Sequence, residues 1–157
     1  MKKEEKTNVM RVLDGKKIPY ESYSYTPDAT MSGEEIAGIL GENPTKVFKT
    51  LVTQGKSGAY YVFVVPVKEE LDLKKAAYAS GEKAVSMIKQ KELLSLTGYV
   101  HGGCSPIGMK KQLPTFIHKT ARQLDKIFVS AGKVGLQIEL APDDLINVAG
   151  CKEADIV

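Results

Sequence analysis

The run Tyr60-Tyr-Val-Phe-Val-Val-Pro-Val67 constrains this chain more than any other segment. It is aromatic and β-branched, too apolar to lie in water and too short to cross a bilayer as a helix, so it reads as a buried strand. Gln54-Gly-Lys-Ser-Gly58 separates it from Lys46-Val-Phe-Lys-Thr-Leu-Val-Thr53, a second segment rich in strand-forming residues. Two such segments joined by a short glycine-bearing turn predict an antiparallel hairpin. Every other element has to cover this hairpin.

The flanking segments supply that cover. Thr7 or Asn8 can cap a helix carrying Val9, Val12 and Leu13 on one face, with Asp14-Gly15 as its stop. Ile18–Tyr25 alternates large residues with small or polar ones, which predicts a strand showing Tyr23 and Tyr25 on one face before a turn at Thr26-Pro-Asp28. Ser32-Gly-Glu-Glu35 is a capping box ahead of Ile36, Ala37, Ile39 and Leu40, with Gly41 as terminus. Asp72 is placed to cap a helix through Ala76 and Ala77, and a further helical stretch is expected through Met87, Ile88, Leu93 and Leu94 up to Gly98. Short strands are expected near 99–101, 115–118, 126–130 and 136–140, and Pro142-Asp-Asp-Leu-Ile146 opens a last helix. Helix and strand alternate too irregularly for a doubly wound parallel sheet. The expectation is α+β: one domain over 1–157 with a curved mixed β-sheet, open and barrel-like, surrounded by helices.

Composition narrows the class of function. A chain of 157 residues, 43% hydrophobic and 26% charged, suits a self-folding soluble domain. The amino terminus Met1-Lys-Lys-Glu-Glu-Lys6 has the wrong chemistry for a secretory signal or anchor, so a cytoplasmic location is expected. Cys104 and Cys151 are far apart and His101 and His118 are the only histidines, a set that predicts neither a disulfide framework nor a metal site; no cofactor is expected. A net charge of +3 permits polyanion binding without demanding it. The pairs Lys16-Lys17, Lys74-Lys75 and Lys110-Lys111 can meet phosphates or simply face solvent.

Two segments are candidates for chemistry. Lys49 interrupts an apolar strand, on the face of Val47 and Leu51. It is either an edge residue whose stem lies along apolar surface or a cleft lysine facing a phosphate or a developing oxyanion. Gly102-Gly-Cys-Ser-Pro-Ile-Gly108 permits close backbone approach, and its N–H groups suit an acyl-transfer oxyanion as well as a plain strand connection. Cys104 with His101 three positions earlier makes a poor nucleophile dyad, because strand-like backbone would direct the two side chains apart. Ser130, at a strand end, can bond a ligand or begin a turn.

Together, Val47-Phe-Lys-Thr-Leu-Val52, Gly102-Gly-Cys-Ser-Pro-Ile-Gly-Met-Lys-Lys111 and Val129-Ser-Ala-Gly-Lys-Val-Gly-Leu136 resemble the YbaK/EbsC family of free-standing tRNA-editing proteins. The resemblance runs from Ile18-Pro19 to Ala154-Asp-Ile-Val157. It implies a mixed-sheet domain like the editing insertion of bacterial prolyl-tRNA synthetases, with no metal. It implies deacylation of Cys-tRNA(Pro), and of Cys-tRNA(Cys) in some members, with aminoacylated tRNA and prolyl-tRNA synthetase as partners and no membrane. By the same resemblance Lys49 and Gly102 are catalytic, while Tyr25, Thr50, Gly103, Cys104, Ser105, Pro106, Ser130 and Gln137 bind substrate. Cys104 occupies a position that is often another apolar residue in relatives, and Gln137 stands where some members have Asp. The implied mechanism has the substrate's own thiol attack its ester, releasing a cysteine thiolactone. Two alternatives remain at this stage: a deacylase for another small aminoacyl group such as alanyl or seryl, and a non-catalytic module that binds tRNA or a synthetase.

Overall fold

The structure, a computed structural model, describes residues 6–26 and 32–157. In chain order the helices are α1 (Asn8–Gly15), α2 (Gly33–Leu40), α3 (Leu73–Ser80), α4 (Gln90–Thr97) and α5 (Pro142–Ala149). The strands are β1 (Glu21–Ser24), β2 (Phe48–Gly55), β3 (Tyr60–Pro66), β4 (Val85–Met87), β5 (Thr115–His118), β6 (Ile127–Ser130), β7 (Leu136–Leu140) and β8 (Cys151–Ala154). The fold is α+β, as the irregular order of elements predicts.

The helix signals act as expected. Thr7 accepts from Met10 N at the start of α1. Ser32 Oγ accepts from Glu35 N at 3.2 Å, and Gly41 closes α2 with φ +69°. Asp72 Oδ1 accepts from Lys74 N and Lys75 N at the start of α3. Such caps satisfy N–H groups that the helix leaves without an internal partner, each stabilising by about 1 kcal/mol.

The hairpin β2–β3 is antiparallel, running from Phe48 opposite Pro66 to Gln54 opposite Tyr60. It centres a five-stranded sheet in the order β4-β2-β3-β5-β8, in which β5 pairs parallel to both β3 and β8. The remaining strands form a three-stranded antiparallel sheet, β1-β7-β6. One curved sheet was expected; the structure has two, open and unclosed, joined by an isolated parallel bridge between Val47 and Phe128. Period-two alternation splits the hairpin between two cores. Phe48, Val52, Val62 and Val64 face the main core with Val9, Leu13, Ile127, Val129 and Ile138, while Phe63 and Val65 pack under α3 against Ala76 and Phe116. A third, smaller cluster sets Ala37 of α2 on Val47, Val67 and Phe128. Fully burying a side chain of this size stabilises by about 1.5–3 kcal/mol, so the two-sided burial of β3 anchors the whole fold.

Three expectations need correction. Met87 closes strand β4 rather than sitting in a helix, because its segment pairs with Thr53–Gly55. Tyr99–His101 is not a strand: Gly102 at φ +85° turns the chain there, and Tyr99 is buried in the main core. Cys151–Ala154, for which no strand was expected, pairs with β5. The expected turn at Thr26-Pro-Asp28 lies largely outside the described residues.

Candidate functional site

The joint between the two sheets sets up the site. Beyond the hairpin, the other edge of β2 pairs at Val47, through its bridge to Phe128, and then from Thr53 onward with β4. Phe48–Leu51 lies between those attachments, where the sheets part. Two residues beyond the bridge on each strand come Lys49 and Ser130, which therefore share the face of Val47 and Phe128. Ser130 is opposite Gln137 on β7, and Gln137 is opposite Tyr23 on β1. The registers thus align Tyr23, Gln137, Ser130 and Lys49 as one polar row across the smaller sheet and onto the hairpin. Tyr25 continues the face of Tyr23, and its N–H donates to Gly135 O at 2.9 Å.

The glycine loop packs on the turn that follows β6. A Cβ on Gly103 would lie 2.9 Å from Val134 N and 3.2 Å from Lys133 C, so only glycine lets the loop pack against the backbone that follows Ser130. Tyr99 anchors the loop's far end by donating its hydroxyl to Ile107 O, and burial pushes that hydroxyl up to about 12. Two amides are engaged within the loop, Gly103 N to Val100 O and Ile107 N to Ser105 Oγ. Among the described residues, the loop N–H groups of Gly102, Cys104, Ser105 and Gly108 have no hydrogen-bond acceptor, and the first three flank Gly103. Pro106 is buried and stiffens the turn between them and Ile107.

Not all the candidates point the same way. Thr50 alternates to the opposite face from Lys49, the face of Phe48 and Val52, and its Oγ1 is buried with no hydrogen-bond partner among the described residues. A buried hydroxyl in that state costs about 1–3 kcal/mol until something bonds it. Cys104 lies in the main core, and burial pushes its thiol up to about 12, leaving almost no thiolate at neutral pH. His101 is exposed on the turn, whereas His118 is buried with its Nδ1 accepting from Ile156 N, a structural contact remote from the loop in the topology. Among the described residues, no group of three His, Cys, Asp or Glu side chains is arranged to hold a metal.

The aminoacyl-tRNA editing domain family matches residues 26–148. An Enterococcus faecalis protein provisionally named Cys-tRNA(Pro)/Cys-tRNA(Cys) deacylase EbsC is 47% identical over 156 residues, covering 99% of this chain and 95% of that protein. The chain belongs to the YbaK/EbsC family of aminoacyl-tRNA editing proteins. A proline–tRNA ligase of Fervidobacterium nodosum shares 25% identity over 99 residues, 63% of this chain and 17% of the ligase. A crystal structure provisionally described as a trans-editing enzyme for prolyl-tRNA synthetase superposes with a TM-score of 0.82 at 25% identity, covering 95% of this chain and 94% of that one. Family membership supports editing by aminoacyl-tRNA deacylation as the activity. No helix among the described residues is long and apolar enough to span a membrane.

Within this YbaK/EbsC fold, sequence reasoning missed one residue of the row and one beside it. Tyr23, read only as a strand residue, donates its hydroxyl to Glu139 Oε1 at 3.0 Å and packs its ring on Phe128 at 5.8 Å between centroids. Glu42, just beyond α2, meets Gln137 across the sheet joint. Strand alternation signalled the first; no local pattern marks the second.

Proposed function

We propose that this chain removes cysteine from misacylated Cys-tRNA(Pro), with Cys-tRNA(Cys) as a further substrate, and that the substrate's own thiol performs the cleavage. The observation that carries the reading is the polar row ending on Lys49 where the two sheets part, beside the glycine loop packed on residues 133–134. The name carried by the Enterococcus faecalis relative favours cysteine as the acyl group.

In this reading the acylated terminal adenosine enters edge-on between the sheets. There it meets Lys49 from one face of β2 and the unpartnered Thr50 hydroxyl from the other. Lys49 holds a phosphate or polarises the ester carbonyl. The N–H groups of Gly102, Cys104 and Ser105 receive the charge that develops on the carbonyl oxygen. The substrate sulfur attacks the carbonyl carbon, the bond from that carbon to the ribose oxygen breaks, and the thiol proton ends on the ribose hydroxyl. Cysteine thiolactone and free tRNA are the products. Confinement raises the effective concentration of the thiol at its own ester, so no protein nucleophile is required. The buried Cys104 thiol is consistent with that division of labour. Tyr25, Gly103, Pro106, Ser130 and Gln137 shape the pocket, and the chain acts as one editing domain with prolyl-tRNA synthetase as the partner that brings tRNA.

The test is single-turnover deacylation of Cys-tRNA(Pro), Ala-tRNA(Pro) and 2-aminobutyryl-tRNA(Pro). Thiol-assisted cleavage predicts release of cysteine and retention of 2-aminobutyrate. Release of 2-aminobutyrate at the cysteine rate would replace the mechanism with direct hydrolysis, and preferential release of alanine would reassign the substrate.

A further inference from the structure

Gln137 sits in the polar row only 6% exposed, so the direction of its amide is fixed by its neighbours rather than by water. With its nitrogen toward Glu42 it donates to Oε1 at 2.8 Å and Oε2 at 2.9 Å. The reverse orientation would set the amide oxygen against both carboxylate oxygens, acceptor facing acceptor. Glu42 is itself held in place, its N–H donating to Ala37 O at 2.8 Å at the end of α2. It borders a cleft of about 260 Å³ that Tyr23, Lys46, Phe128 and Glu139 also line.

The charged groups around this contact do not neutralise Glu42. Lys46, at the mouth, is directed to Asp125 Oδ1 at 3.4 Å. Glu139 accepts from Tyr23, whose hydroxyl that bond and burial hold above its usual range, and Glu21 lies beside Glu139 in the register. Burial first, and the Glu139 charge second, push Glu42 above the ordinary carboxylate range, while the two bonds donated by Gln137 favour its ionised form.

A primary amide has one donating end and one accepting end. A carboxylate that occupies the donating end leaves the carbonyl oxygen as the group offered elsewhere. We propose that Glu42 is a positioning residue that fixes the Gln137 amide with its carbonyl oxygen presented to the site, so that the site selects an acyl group carrying a free ammonium. The inference rests on the function proposed above and adds the recognition of the amino group. Protonated Glu42 can donate as well as accept, so it tolerates either amide orientation, and the selection weakens as pH falls through the Glu42 titration.

Two measurements decide it. The side-chain NH2 resonances of Gln137, identified by their loss in Gln137→Ala, are followed from acid to alkaline pH in the whole chain. They are expected to titrate together with Glu42 in the parent, above the ordinary carboxylate range, and to lose that step in Glu42→Gln. A flat response, or the same step in Glu42→Gln, overturns the proposal. In parallel, steady-state deacylation of Cys-tRNA(Pro) is compared with that of N-acetyl-Cys-tRNA(Pro) near neutral pH. The expected result is a KM about ten-fold or more higher for the acetylated substrate at similar kcat, the worth of one hydrogen bond to a charged group. That gap should shrink in Glu42→Gln and return in part in Glu42→Asp. Equal KM values, or a gap unaltered in Glu42→Gln, overturn the positioning role while leaving the deacylase reading intact. Deacylation of neither substrate overturns both.

Discussion

Replacing Gly103 with alanine adds one methyl group where the glycine loop meets the turn after Ser130. The new Cβ would sit 2.9 Å from Val134 N, 3.2 Å from Lys133 C and 3.3 Å from Lys133 Cα. All three are backbone atoms, so no side chain can swing away to relieve the overlap, and one of the two loops must shift by several tenths of an ångström. Overpacking of this kind costs about 1–3 kcal/mol. For a chain of this size each kcal/mol moves Tm by about 2–4 °C, giving a drop of about 2–12 °C. Gly38→Ala is the control: that glycine lies within α2 with nothing within 4 Å of the added Cβ, and the change should stabilise by about 0.5–1 kcal/mol. Thermal unfolding followed by circular dichroism reads both variants. Deacylation, measured well below either Tm, should fall at least ten-fold in Gly103→Ala, because the loop amides proposed to receive the charge on the ester would be displaced. Unchanged Tm would refute the packing argument, and a lowered Tm with parent-like kcat/KM would refute the loop's part in the site.

Cys104→Ala should keep parent-like deacylation and lose about 1 kcal/mol in a denaturant titration, because the buried thiol held near 12 fills space rather than attacking; a hundred-fold loss of activity in a folded variant would overturn that assignment. Ser32→Ala removes the acceptor for Glu35 N and should destabilise by about 1 kcal/mol in the same titration. For Glu42 burial raises the folded value above an ordinary 4.5, so between the unfolded and folded values the folded state binds more protons than the unfolded state. Its contribution to stability therefore weakens as pH rises from the unfolded value through the folded one. Glu42→Gln should remove that loss, and stability curves of parent and variant measured across this range should diverge steadily with rising pH; parallel curves would contradict the burial of the carboxylate.

Local chemistry made much of this fold legible. The Ser32 capping box, the Asp72 cap and the β2–β3 hairpin depend on residues close in sequence, and each forms where its pattern predicts. The errors come from long-range pairing. Cys151–Ala154 becomes a strand because β5 offers it an edge, and Val85–Met87 becomes one because Thr53–Gly55 does. Tyr99–His101 has strand-like composition, yet Gly102 at positive φ and the Tyr99 contact with Ile107 O make it a turn. The site divides in the same way. Lys49 was conspicuous as a charge in an apolar strand, and the glycines of the loop announced close approach. The row of Tyr23, Gln137 and Ser130 follows from the registers of β1, β7 and β6, and Glu42 reaches it only because α2 folds over the sheet joint. No local pattern encodes either relationship.

The most direct test of the central claim compares parent and Lys49→Ala protein in single-turnover release of cysteine from Cys-tRNA(Pro), with circular dichroism to verify folding. Lys49 is half-buried beside Leu51, and its removal leaves the cores of β2 and β3 intact, so the variant should fold. Its deacylation should fall at least a hundred-fold, toward the spontaneous rate, in keeping with the loss of a single electrostatic contact to the reacting group. Folded Lys49→Ala protein that releases cysteine at the parent rate would contradict the account.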